Sequence, residues 1–228
     1  MVTPRLALAY TTAPRPVPTL ARSLASLRVA GWTDPVLVCA EAAPGPLDDP
    51  AVEVQVNDPP LGVLHNWVQT LRALLAWTEA SHLMVVQDDV TWARGAAAVM
   101  ARQLPAVAPF WTWYVDPKVG RTLENRIGRS LRAGSYMSPL GYQNNGALCF
   151  GFSRILAQEV LASAELADYL ATHRNQNIDR VIPAVCLALG YPLQVWVPSL
   201  VNHTLGCANS TIKPKKPRDT RYWRAVAS

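Results

Sequence analysis

Short apolar runs alternate with amphipathic segments along the first ninety residues of the chain. The runs that fit strands are 6–10, 36–39, 52–56 and 82–87. Between them, apolar side chains recur at helical spacing over 20–30 and 64–80. Strands that alternate with helices predict an α/β protein with a mostly parallel, Rossmann-like central sheet flanked by helices.

The pattern changes after residue 89. The next elements that we predict are a helix over 92–104, ended by Pro105, an aromatic strand over 110–114, a strand over 146–152, helices over 154–161 and 178–189, and a strand over 193–197. The section 118–141 shows no clean period, so we predict that it is irregular and mobile. Long irregular sections of this kind are typical of lids and binding loops.

Two adjacent carboxylates, Asp88 and Asp89, follow the apolar run 82–87 directly. Buried carboxylates are unfavourable unless they are paired or bind a metal, and ligands of open α/β sheets collect at the carboxyl ends of the strands. Hard divalent cations bind carboxylates and complete their shell with substrate phosphates. The pair is therefore a candidate metal-nucleotide site. The alternative, which has equal weight on this pattern alone, is that two acids end a strand and are solvated in the next turn.

Composition indicates one packed domain. Half of the 228 residues are apolar, only 16% are charged, and eight are tryptophan, which excludes a disordered chain. We predict a domain over 1–212 and a basic tail over 213–228. No apolar run is long enough to span a bilayer and no signal peptide is evident, so we expect a cytoplasmic protein, in the host cytoplasm if it is phage-encoded. The four scattered cysteines are predicted to be reduced core residues.

Five short segments, taken in order, resemble one known family. They are the polar loop 11–16, the segment 62–67, Gln-Asp-Asp at 87–89, Asn-Ile-Asp at 177–179, and Pro-Ser-Leu-Val-Asn-His at 198–203. Their order and spacing resemble the nucleotide-sugar-dependent glycosyltransferases of the GT-A fold, including branching N-acetylglucosaminyltransferases and phage or bacterial enzymes. Gln87 departs from the pattern, since the family usually has an acid there, and this removes one negative charge.

The resemblance implies a UDP-sugar donor and a Mn²⁺ or Mg²⁺ cofactor, with Asp89 and His203 as metal ligands and Asp179 as the catalytic base. The donor contacts that it implies are Thr11, Thr12, Arg15, Asn66 and Asp88. A simpler interpretation stays open for most of these residues. Asp179 would be a helix cap, His203 a polar loop residue, Asn66 a solvent-facing helix residue, and the loop residues part of a turn.

Physical chemistry supports this assignment. A departing nucleoside diphosphate gains negative charge as the glycosidic bond breaks, and a divalent ion at Asp89 and His203 would stabilise that charge. The carboxylate of Asp88 can accept hydrogen bonds from the hydroxyl groups of a ribose. Asp179 lies near a predicted helix start, where the helix dipole helps to keep it ionised and able to accept a proton.

Two other classes of protein compete with a glycosyltransferase. A sugar-nucleotide pyrophosphorylase is disfavoured because the chain has no glycine-rich phosphate loop near its N-terminus. A non-catalytic nucleic-acid-binding protein is suggested by the sequence pI of about 9.2.

The distribution of basic residues suggests the acceptor. Segment 213–228 holds six of the 21 basic residues and one of the 16 acidic residues, so the net charge of +5 lies in the tail. A second basic stretch covers 118–132. The candidate polyanion-binding residues are Arg126, Arg129, Arg132, Lys213, Lys215, Lys216 and Arg218. With Tyr222 and Trp223 available to stack on bases, we predict a DNA acceptor that bears a hydroxyl-modified base. A solvated tail, an anionic membrane surface, a bacterial glycan and a small-molecule acceptor are the alternatives.

Overall fold

The structure, a computed structural model, describes residues 4–115, 117–127, 132–137, 148–172 and 177–203. Within these ranges the strands are β1 (Leu6–Thr12), β2 (Val36–Ala40), β3 (Val52–Val56), β4 (His82–Gln87), β5 (Val90–Trp92), β6 (Phe110–Thr112), β7 (Gly134–Met137), β8 (Cys149–Ser153), β9 (Gln194–Val197) and β10 (Val201–His203). The helices are α1 (Leu20–Val29), α2 (Val63–Trp77), α3 (Ala96–Gln103), α4 (Pro117–Ile127), α5 (Arg154–Ala162), α6 (Ala164–Thr172) and α7 (Ile178–Ala188).

Eight strands form the central sheet, in the order β3-β2-β1-β4-β8-β6-β9-β7. Strands β1, β2, β3, β4, β6 and β9 run in one direction, while β8 and β7 run in the other. The α/β class and the mostly parallel direction of the strands are therefore confirmed. We call the edge at which the six strands end the carboxyl edge.

Both faces of the sheet are covered, which explains why β4 reads as a continuous apolar run. Leu83 and Val85 of β4 pack into one buried cluster with α2, α5 and α7, whereas Met84 and Val86 pack into a second cluster with α1 and α3. Successive side chains of a strand point to opposite faces. A strand with an apolar layer on each side is thus held rigidly, and its tip is fixed in space.

The prediction of an irregular section over 118–141 was wrong for its described parts. Residues 117–127 form α4, and 134–137 form β7, which pairs with β9. Helix α4 is hard to predict because few of its side chains are buried. Val119 and Leu123, one turn apart, are the buried pair, and the residues around them are polar or charged.

The predicted helix over 92–104 starts later than expected, because 90–92 form a strand. Strand β5 pairs with β10 in a separate two-stranded sheet, and α3 begins at Ala96. Helix α6 was not predicted at all. The predicted tail over 213–228 lies outside the described residues.

Two other expectations concern the cysteines and the membrane. Cys39, Cys149 and Cys186 are buried and form no disulfide, as predicted, and Cys207 lies outside the described residues. None of the helices in the described ranges combines the length and the apolar composition that crossing a membrane requires.

Gly151, in the middle of β8, provides the clearest stability prediction. A Cβ atom at this position would overlap the buried indole of Trp111 on β6. Gly151→Ala is therefore expected to reduce the free energy of unfolding by about 1–3 kcal/mol, the usual range for an overpacked core. Urea unfolding measures this as a lower midpoint. Gly45→Ala is the matched control, since nothing lies within 4 Å of its Cβ position. Equal midpoints for the two variants would contradict the prediction.

Candidate functional site

Asp88 and Asp89 lie at the carboxyl edge, immediately after β4. They are 2% and 3% exposed, so the alternative of a solvated strand end is excluded. Strand β1 pairs with β4 in parallel, and Thr11 lies beside Gln87. The end of β1 and the polar loop after it are thereby brought against the two carboxylates.

Arg15, in the loop after β1, contacts both carboxylates. Its Nη2 and Nε donate to the two oxygens of Asp88 at 2.6 and 3.2 Å, and its Nη1 donates to Oδ2 of Asp89 at 3.4 Å. The hydroxyl of Thr12 donates to Oδ2 of Asp88 at 2.6 Å. The Arg15 side chain is only 11% exposed. Thr12 and Arg15 therefore do more than form a turn, because together they bind both oxygens of a buried acid.

The two-stranded sheet of β5 and β10 places His203 beside the two acids. The antiparallel register of β10 and β5 places His203 opposite Val90, one residue after Asp89. Its Nδ1 lies 3.6 Å from Oδ2 of Asp89, and the ring of Tyr114 packs edge-on against the imidazole with centroids 6.2 Å apart. A residue more than a hundred positions away in sequence is thus fixed beside the acidic pair.

The two acids differ in their electrostatics. Burial by itself raises the pKa of Asp89, but His203 and the charge of Arg15 outweigh it and hold that pKa below its usual value. For Asp88 burial prevails and raises the pKa, although the charge of Arg15 and the hydrogen bond from Thr12 oppose it. Asp89 is therefore the acid whose surroundings favour the ionised, ligand-ready form.

Two buried atoms of this group have no hydrogen-bond partner within the described residues. They are Oδ1 of Asp89 and Nε2 of His203. Buried polar atoms are nearly always hydrogen-bonded, so these two atoms are candidates for contact with a bound group. A carboxylate oxygen and an imidazole nitrogen are a ligand pair that suits Mn²⁺.

Asp89 and His203 are two suitable ligands for a divalent ion, but they do not complete its coordination shell. Across the described ranges, no group of three or more His, Cys, Asp and Glu residues could hold a metal. An ion held by Asp89 and His203 would take the rest of its ligands from water and from a bound diphosphate.

A second hydrogen-bond network continues along the carboxyl edge from Thr11. Asn66, in the first turn of α2, is 2% exposed, and its Nδ2 donates to Oγ1 of Thr11 at 2.9 Å and to the carbonyl of Thr12 at 3.1 Å. Asn57 donates to Oδ1 of Asn66 at 2.8 Å and to Oε1 of Glu41 at 3.0 Å. The interpretation of Asn66 as a solvent-facing residue is therefore wrong.

Glu41 and Asn57 were not identified from the sequence. Glu41 follows the apolar run of β2 directly, just as Asp88 follows β4, and this pattern was sufficient to find it. Its Oε2 accepts from the backbone N–H of Gly62 at 2.6 Å. Asn57 follows the exposed edge strand β3, where the sequence gives no comparable signal.

The other predicted site residues lie on other segments of the chain. Asp179 is in the first turn of α7, and its backbone N–H donates to the capping side chain of Asn177 at 3.0 Å. Arg126 and Arg132 are exposed, at the end of α4 and just before β7. The remaining candidates lie outside the described residues, namely Arg129, Lys213, Lys215, Lys216 and Arg218.

The fold is of the GT-A type, which is also the type that the sequence resembles. Among solved structures, the chain is similar to GalNAc-T7 with UDP, GalNAc and Mn²⁺, with a TM-score of 0.54 and 13% identity over 92% of this chain. It is also similar to the mannosyltransferase PcManGT from Pyrobaculum calidifontis in complex with GDP-Man and Mn²⁺, with a TM-score of 0.51 and 12% identity over 82% of this chain.

The extent of these similarities is limited. The matches cover 46% and 53% of the two solved chains, so this protein corresponds to about half the length of each. Scans of the sequence against protein-family models and against curated proteins give no match. The similarity therefore establishes the fold.

Proposed function

We propose that the protein is a metal-dependent glycosyltransferase that moves a sugar from a nucleoside-diphosphate sugar, a UDP-sugar, to a hydroxyl acceptor. The observation that carries the proposal is the orphaned pair of acceptors on Asp89 and His203, buried beside the Arg15–Asp88 ion pair at the carboxyl edge. The nucleotides and Mn²⁺ in the two similar structures support it.

Asp89 and His203 would hold the ion, and Arg15 and Asp88 would position the nucleotide. When bound, the ion stabilises the negative charge that develops on the departing diphosphate. Oδ1 of Asp88 accepts from Nη2 of Arg15, and a carboxylate oxygen has two acceptor sites. A ribose hydroxyl can therefore donate to the same oxygen while the ion pair stays intact.

Asp179 is proposed as the base that takes the acceptor proton. Helices α2 and α7 precede β4 and β9, two strands that run toward the carboxyl edge, so both helices begin on that side of the sheet. The side chain of Asn177 caps α7 by accepting a hydrogen bond from the backbone N–H of Asp179. The dipole at the helix start favours the ionised form of the Asp179 side chain.

A donor screen tests the proposal. The purified protein, incubated with labelled nucleotide-sugars and Mn²⁺, is expected to release nucleoside diphosphate slowly from its preferred donor, by transfer of the sugar to water. UDP is the expected product. A binding protein without catalysis would release none, and the absence of release from every donor would contradict the proposal.

For the acceptor we propose DNA that bears a hydroxyl-modified base, as in bacteriophage genome modification. Arg132 lies two residues before β7, which begins at the carboxyl edge because it runs opposite to β9, and Arg126 lies near the end of α4, between β6 and β7 in the chain. The basic segment 213–228 adds sequence-independent attraction for phosphates. The base would have to leave the duplex to reach the donor, at a cost of a few kcal/mol.

Salt dependence of duplex binding tests this acceptor. The logarithm of affinity is expected to fall steeply with the logarithm of salt concentration, by about 0.9 for each phosphate contact, and the slope should become shallower after truncation at Ile212. Arg126→Gln is expected to reduce the slope as well. Arg72→Gln, an exposed arginine on α2, is the matched control and is expected to leave the slope unchanged. Absent or salt-independent binding by the intact chain would exclude DNA and favour a glycan or small-molecule acceptor.

A further inference from the structure

Arg15 already provides a cation at the acidic pair, and this has a consequence for metal binding. Two buried carboxylates and one guanidinium leave a formal charge of −1, because an imidazole that ligates a metal is neutral. Gln87, which ends β4 where a further acid is usual in the family that the sequence resembles, adds no charge. The electrostatic attraction for a free divalent ion is correspondingly reduced.

Arg15 also occupies ligand atoms. Its guanidinium binds both oxygens of Asp88 and one oxygen of Asp89, the latter at 3.4 Å. The acceptors that stay without a partner are Oδ1 of Asp89 and Nε2 of His203. Two protein ligands with a net charge of −1 are few for a divalent ion that prefers about six donors.

We infer that Arg15 makes metal binding conditional on the nucleotide. In this inference, which rests on the proposed function, the guanidinium is a resident counter-cation that keeps the affinity of the free protein for divalent ions low. A nucleoside diphosphate supplies the missing oxygens and negative charge, so the ion and the nucleotide bind together. By linkage, Mn²⁺ strengthens nucleotide binding by the same factor by which the nucleotide strengthens Mn²⁺ binding.

Of the hydrogen bonds from Arg15 to the two acids, the one to Asp89 is the longest, so it is the one that a competing ligand can most easily replace. Nη2 and Nε hold Asp88 at 2.6 and 3.2 Å, whereas Nη1 lies 3.4 Å from Asp89. Nη1 carries two N–H groups, so the one that does not point to Asp89 can donate to a phosphate oxygen while the pair with Asp88 stays in place. The ion would replace the longer bond at Oδ2 of Asp89.

The test measures Mn²⁺ binding by calorimetry, or by the electron paramagnetic resonance signal of free Mn²⁺, with and without UDP. The full-length protein is expected to bind Mn²⁺ at least about tenfold more tightly when UDP is present. Arg15→Gln is expected to raise the affinity for Mn²⁺ without UDP at least about tenfold, since it removes a positive charge next to the ion. Arg28→Gln, which breaks the ion pair between Arg28 of α1 and Asp49, is the matched control and should change neither affinity.

A second variant keeps the inference testable if Arg15→Gln fails to fold. Gln87→Glu restores negative charge with Arg15 in place, and it is expected to raise the nucleotide-free affinity for Mn²⁺ in the same direction. Equal Mn²⁺ affinity with and without UDP in the unsubstituted protein would overturn the inference. So would cooperative binding that Arg15→Gln leaves unchanged, although the proposed function would then stand. Failure of UDP to bind under any condition would overturn both.

Discussion

Asp89→Asn is expected to lower the rate of sugar transfer by about 10³-fold or more while the protein stays folded. The amide keeps the size of the carboxylate but loses its charge and one good metal ligand, so the developing charge on the diphosphate is no longer stabilised. Asp88 keeps its bonds to Thr12 and Arg15 in the variant, which preserves the buried ion pair. Initial rates with the donor from the screen, at saturating Mn²⁺, measure the effect.

Two further variants and one control test the same assignment. His203→Ala removes the other proposed ligand and should reduce the rate to a similar degree, and Asp88→Ala should weaken donor binding. Asp49→Asn is the control, because this acid pairs with Arg28 on α1 and not with the site. Near-normal rates in both Asp89→Asn and His203→Ala, or a rate unaffected by EDTA, would show that the metal assignment is wrong.

The second large effect is expected at Asp179. Asp179→Asn should reduce kcat by about 10²-fold or more with little change in donor affinity, because the amide cannot accept the acceptor's proton. The cap of α7 is preserved, since the capping side chain belongs to Asn177 and the bond uses the backbone N–H of residue 179. Separate measurements of kcat and of donor dissociation distinguish the two roles.

Glu165→Gln is the matched control for this variant. Glu165 is likewise an acid in the first turn of a helix, α6, so it reports what loss of a charge at a helix start does by itself. Equal losses of donor binding and turnover in Asp179→Asn would assign that residue to the donor site. An unchanged kcat would leave it a structural role alone.

The sequence was sufficient to predict seven of the eight strands of the central sheet, all but β7. Strand β4 is buried on both faces, as its uninterrupted apolar run predicts. The sequence pattern predicts β4 correctly because a strand that is buried on both faces needs an apolar side chain at nearly every position. The run did not decide whether Asp88 and Asp89, at its end, are buried or solvated, and the structure shows that they are buried.

Other parts depend on partners that are distant in sequence. Strand β5 is three residues long and exists because β10 pairs with it, and neither segment has a pattern of its own. Among the α4 residues whose burial the structure describes, Val119 and Leu123 are the two apolar side chains that pack into the core, too few for a visible helical period. The contacts of Arg15 could not be predicted either, since the loop before α1 gives no indication that its guanidinium turns back to β4.

The pairing of β5 with β10 also bears on when the site forms during synthesis. Asp89 leaves the ribosome more than a hundred residues before His203, and the strand that carries His203 is the last one in the described part of the chain. A nascent chain that ends before β10 can build β1 to β4 but has only one of the two proposed ligands. Because contacts between distant segments form late, we expect Thr12 and Arg15 to be the partners of the acidic pair before His203 has been made.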